Sequence, residues 1–105
     1  MLKDEDIEQV KDVLVNNFQP LLIYLFGSYS KRSNSEQSDL DLVVIDQDQH
    51  FQRHRDIAMN IALQPRNYHL DLLYYSESDF KRKVQEGWSF FQEVQKNGKI
   101  IYSAQ

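Results

Sequence analysis

The chain has 105 residues, 41% of them apolar and 12% aromatic, which suffices for one domain around one modest core. Twelve Lys and Arg against sixteen Asp and Glu leave a net charge of −4, so no basic excess is available for a phosphate backbone and direct nucleic-acid binding is not expected. The lack of cysteine excludes a disulfide framework and a thiolate metal site and fits a reducing cytoplasm, while the acidic, polar N-terminus and the lack of long apolar runs argue against a signal peptide or membrane span.

Residues 4–17 carry Ile7, Val10 and Leu14, followed by Phe18, at steps of three and four, behind Asp4, Glu5 and Asp6. That spacing predicts an amphipathic helix with negative charge at its N-terminus, ended near Pro20. Residues 21–26 (LLIYLF) form a continuous apolar run closed by Gly27, as expected of a strand covered on both faces. The polar, serine-rich stretch 31–38 reads as a loop, with room for one helical turn after Ser28. A second strand is predicted over 39–45 (DLDLVVI), then a helix over 51–63 whose face holds Phe51, His54, Ala58 and Ile61 before Pro65 stops it. Residues 68–75 (YHLDLLYY) predict a third strand. Ser76 or Ser78 then caps a helical stripe of Phe80, Val84, Trp88, Phe91 and Val94, which Gly87 is placed to split. Asn97-Gly98 signals a turn and Lys99 to Tyr102 a last short strand. The expected architecture is α/β in a single domain, 1–105: a mixed sheet of about four strands with helices on one face and the active site on the other.

Two aspartates at the opening of an apolar strand need an explanation, because an unpaired carboxylate removed from water costs several kcal/mol. Residues two apart on a strand share a face, so Asp39 and Asp41 present like charges side by side, and a bound cation would reverse their repulsion. A hard divalent ion such as Mg2+ takes oxygen ligands, and a pair of such ions about 3.5 to 4 Å apart can be bridged by carboxylates at this spacing. Asp71 stands in the same setting on the third predicted strand, placed to ligate one ion and to take a proton from an attacking hydroxyl. Gly27 and Ser28 end the first strand; backbone N–H groups and a hydroxyl at such a turn make a nest for phosphate oxygens. A nucleoside triphosphate held between that turn and metal on Asp39 and Asp41 would be set for in-line attack at phosphorus.

These residues resemble the nucleotidyltransferase superfamily of the polymerase-beta type, and within it the minimal members called MNT proteins. The shared pattern is Gly-Ser, ten residues, Asp-x-Asp, and a later aspartate on a neighbouring strand. Gly27-Ser28, Tyr29 to Ser38, Asp39-Leu40-Asp41 and Asp71 match it. The resemblance implies ATP as substrate, Mg2+ as cofactor in two ions, Gly27, Ser28 and Lys31 toward the triphosphate, and Asp39, Asp41 and Asp71 as metal-binding catalytic residues. It also implies a partner: MNT proteins stand beside an all-helical HEPN protein and, as antitoxin, transfer AMP to a tyrosine of that HEPN toxin. Lys31-Arg32 departs from the Arg-Gly frequent in similar members, keeping a positive charge but losing the glycine. Larger members carry a second helical domain for the acceptor; here another subunit of the same chain, another protein or an open face is expected to hold it.

Two other functions fit the same residues: a module that neutralises its partner by binding alone, and a small-molecule nucleotidyltransferase similar to the aminoglycoside-modifying enzymes. Individual features also have plain structural readings. Ser28 can serve only as a helix cap, and His50, His54 and His69 lack a ligand spacing and read as packing or surface residues, although alternation puts His69 on the Asp71 face. Lys81, Arg82 and Lys83 read as a solvated helix face, and Phe80, Trp88 and Phe91 as core; exposed members of that stripe, with Tyr74 and Tyr75, would instead suit a partner interface.

Overall fold

A computed structural model describes residues 3–26 and 39–104, apart from the side chain of Asp39. Gly27, Ser28 and Lys31 lie outside the described residues, as does the loop expected over 31–38.

Helix α1, Asp4–Phe18, buries Ile7, Val10, Leu14 and Phe18, the stripe that its sequence spacing predicts. Asp6 Oδ2 accepts the backbone N–H of Lys3 at 2.9 Å, satisfying one donor that the first turn leaves open. Strand β1, Leu22–Phe26, pairs antiparallel with β2, Asp39–Asp46, from Leu22 opposite Ile45 to Phe26 opposite Asp41. Helix α2, Asp48–Ala62, starts three residues before its apolar stripe, because its first turn is polar and gives no periodic signal. Asp48 Oδ1 accepts the Ser78 backbone N–H at 3.0 Å, and this contact holds the Asp48 carboxyl below its usual range.

Strand β3, His69–Ser76, lies parallel to β2, and α2 is the crossover that parallel pairing requires. Ser76 caps helix α3, Glu77–Gln85, by accepting from the Asp79 N–H at 3.3 Å. Gly87, at φ 88°, separates α3 from α4, Ser89–Asn97, as its position in the stripe predicts. Strand β4, Lys99–Ser103, returns antiparallel to β1, and the four-stranded mixed sheet has the order β3-β2-β1-β4.

Both faces of this sheet are apolar. Leu40, Leu42 and Val44 of β2, with Ile23, Leu25, Leu70 and Leu72, pack against α1 and α2. The alternate residues Val43 and Ile45, with Tyr24, pack against Phe80, Phe91 and Val94 of α3 and α4. Helices therefore cover more than the one face expected. The reason is in β2 itself, where the residues between the first apolar set are apolar too, so its second half needs cover on both sides. Asp41 precedes Val43 on that second face, and Phe26, its partner on β1, packs against the cluster.

Two aromatic residues lie elsewhere than their sequence suggests. Tyr74 is buried rather than available to a partner, because its place in β3 turns it toward the face that α1 and α2 cover. Trp88 is 54% exposed rather than core; it is the residue before α4, and the Lys83 ammonium lies 5.4 Å from its ring centre. Lys81 and Arg82 form ion pairs with Glu77, Asp79 and Glu86 along the exposed side of α3, the solvated face expected of that run.

Gly98, where α4 turns into β4, has no room for a side chain: a Cβ there would stand 2.5 Å from the Val94 carbonyl oxygen and 3.0 Å from the Tyr24 ring. The Gly98 N–H already donates to that same oxygen at 2.8 Å, so the backbone is fixed on both sides. Gly98→Ala is expected to destabilise the fold by about 1–3 kcal/mol, read as a lowered midpoint in urea with an unchanged slope.

Candidate active site

The parallel register between β2 and β3 sets Asp39 opposite His69 and Asp41 opposite Asp71. Paired residues on neighbouring strands share a face and lie roughly 5 Å apart between backbones. Four polar residues thus occupy a two-by-two block of backbone positions at the start of two apolar strands. On the other side of β2, Phe26 of β1 stands opposite Asp41, with Phe90 of α4 edge-on to it at 5.5 Å between ring centres. Asp41 is half-buried, whereas Asp71 is 54% exposed. The face carrying Asp41 and Asp71 is the one opposite α1 and α2, and further along β2 it is the face that α3 and α4 cover.

His69 Nε2 lies 2.8 Å from Asp71 Oδ1, so the imidazole meets the carboxylate as strand alternation suggested. A cleft of about 540 Å3 opens along the free edge of β3, lined among others by Met59, Leu63, Tyr68, His69 and Asp71. Leu63 on its rim is 82% exposed.

Carboxylates are the donor chemistry a hard divalent ion takes, and like charges on paired positions are what such an ion would stabilise. The residue types at Asp39, Asp41 and Asp71 therefore fit Mg2+. Among the described residues no group of three His, Asp or Glu side chains closes on a common point; the side chain of Asp39 lies outside the described set.

A second polar constellation, at the far end of β2, was not apparent from the sequence. Asp46 is only 1% exposed, and its carboxylate accepts from the Gln47 N–H at 2.7 Å, from the Tyr74 hydroxyl, and pairs with His54 Nδ1 at 2.7 Å. Burial, and then the hydrogen bond to Asp46, push the Tyr74 hydroxyl far above its ordinary pKa. His54 also packs 5.2 Å from the Phe18 ring, so its role is satisfied packing, as expected. Asp46 escaped notice because Asp46-Gln47-Asp48 reads as a polar turn after the strand. Its side-chain partners, His54 and Tyr74, are 8 and 28 residues away.

The family model for polymerase beta nucleotidyltransferases matches residues 8–105. This chain belongs to that family. The nucleotidyltransferase domain is also 26% identical over 104 residues to the "Putative protein adenylyltransferase MJ0604" of Methanocaldococcus jannaschii, covering 97% of this chain and 100% of the relative. No solved structure matches it significantly. Among the described residues no helix is long and apolar enough to cross a membrane.

Proposed function

We propose that this nucleotidyltransferase transfers AMP from ATP to a hydroxyl of a protein acceptor, a tyrosine of a helical HEPN-type partner, and acts as that partner's antitoxin. The observation that carries the reading is the in-register pairing of Asp41 with Asp71 on adjacent parallel strands, within a chain that matches the family along nearly its whole length. The name of the archaeal relative, a protein adenylyltransferase, supports a protein acceptor over a small molecule.

In this reading Asp39, Asp41 and Asp71 would hold Mg2+, which when bound supplies charge neutralisation at the phosphates. Gly27, Ser28 and Lys31 would receive the triphosphate. The acceptor oxygen attacks the α-phosphorus, the bond from that phosphorus to the bridging oxygen of the β-phosphate breaks, and pyrophosphate leaves. The Asp71 carboxylate takes the acceptor proton, a role for which its exposure beside the cleft suits it. Phe26 and Phe90 wall the site on the β1 side and limit water there.

The bond that breaks can be read by the position of a label. ATP labelled at the α-phosphate, with Mg2+ and the helical protein encoded beside this one, is expected to label the partner, and ATP labelled at the γ-phosphate is expected not to. Labelling from the γ-position would mean phosphoryl transfer instead. A stable complex with no label from either position would leave neutralisation by binding alone.

A further inference from the structure

We infer that His69 is a positioning residue for Asp71: its Nε2–H donates to Asp71 Oδ1 and so aims the other carboxylate oxygen into the site. The inference rests on the proposed metal-binding role of Asp71 and adds a residue to that site.

The geometry is specific. His69 and Asp71 are two apart on β3 and lie on one face, and the Nε2 to Oδ1 distance of 2.8 Å is that of a good hydrogen bond. The register also puts the backbone of His69 beside that of Asp39, one step along β3 from the Asp41–Asp71 pair on the same face. Asp71 is an edge-strand residue with more than half of its side chain exposed. Unheld, such a carboxylate samples several rotamers, whereas a ligating or proton-accepting group must be kept within about 0.5 Å of its working position. One donor on Oδ1 narrows that freedom and leaves Oδ2 for the ion or the acceptor hydroxyl. The arrangement matches the general pattern in which ligating carboxylates are themselves hydrogen-bonded by a neighbouring group.

A purely stabilising role does not account for the pair. His69 and Asp71 are 63% and 54% exposed, and an ion pair this open contributes about 0–1 kcal/mol. Nor does the role depend on the charge of His69, because an imidazole protonated at Nε2 donates the same bond whether neutral or cationic. Replacement of His69 should accordingly leave the fold intact and change the site.

Mn2+ binding to the full chain, in the presence of a non-hydrolysable ATP analogue, reads this without any acceptor. His69→Ala is expected to weaken Mn2+ binding by about 10–100-fold with an unchanged thermal midpoint. His69→Gln, whose amide N–H can reach the same oxygen, is expected to recover most of the loss. An unchanged affinity in His69→Ala alongside weakened binding in Asp71→Ala would overturn the inference while leaving the metal site standing. Loss in His69→Gln as large as in His69→Ala would also overturn it, since the ring and not the donated proton would then matter. Unchanged affinity in Asp71→Ala would remove the metal role of Asp71 and the inference with it.

Discussion

Asp41→Ala is expected to lower the rate of the proposed AMP transfer by about a thousandfold or more without unfolding the protein. The figure follows from the several kcal/mol that metal-assisted charge neutralisation contributes at a phosphoryl centre, about 4 kcal/mol corresponding to a factor of 10^3. Asp41 is the middle of the constellation: it faces Asp71 across the parallel ladder and Phe26 across the antiparallel one. No other described carboxylate has both neighbours, so nothing on these strands can take its place. The fold should survive because β2 owes its anchorage to Leu40, Leu42 and Val44 on one side and Val43 and Ile45 on the other, none of which is touched. Circular dichroism and single-turnover labelling of the same preparation check the two halves of this expectation. A variant that transfers within tenfold of the parent would place the chemistry elsewhere.

Asp46→Ala is expected to do the opposite, costing stability of about 3–5 kcal/mol. Asp46 is fully buried, and its loss would strand the buried Tyr74 hydroxyl and take the carboxylate partner from the mostly buried His54 ring nitrogen. With about 4–8 °C per kcal/mol for a domain of this size, the melting midpoint should fall by roughly 12–40 °C. Asp46→Asn keeps an acceptor oxygen for Tyr74 and should lose less. Equal midpoints for the parent and Asp46→Ala would show that the network adds nothing net to the fold. The two aspartates therefore separate cleanly: five residues apart on one strand, Asp41 faces a neighbouring carboxylate and Asp46 a tyrosine and a histidine.

That contrast shows what was readable from the amino acids alone. The spacing of Asp39 and Asp41 on an apolar strand and the isolated Asp71 were legible because a carboxylate inside a run such as DLDLVVI conflicts with burial. The stripes of α1 and of the split helix after Ser76 were legible because their apolar residues recur at helical steps. The pairing of Asp41 with Asp71 was not, since register across a parallel ladder depends on where the crossover helix returns the chain. Asp46 was hidden for a similar reason: a polar residue at the end of a strand reads as a turn until the partners that bury it are brought in from distant segments. The cover that α3 and α4 give to the second face was implicit in Val43 and Ile45, whose apolar character only makes sense if both sides of β2 are packed. His69 lay between the two cases; alternation put it on the Asp71 face, and only the folded strand shows the contact.

The most direct test of the account is label transfer from α-labelled ATP to the proposed helical partner, comparing the parent chain with the double variant Asp39→Ala, Asp41→Ala in Mg2+ and in excess chelator. Label on the partner only with the parent and only in Mg2+ is the predicted result; label that survives the double substitution would contradict it.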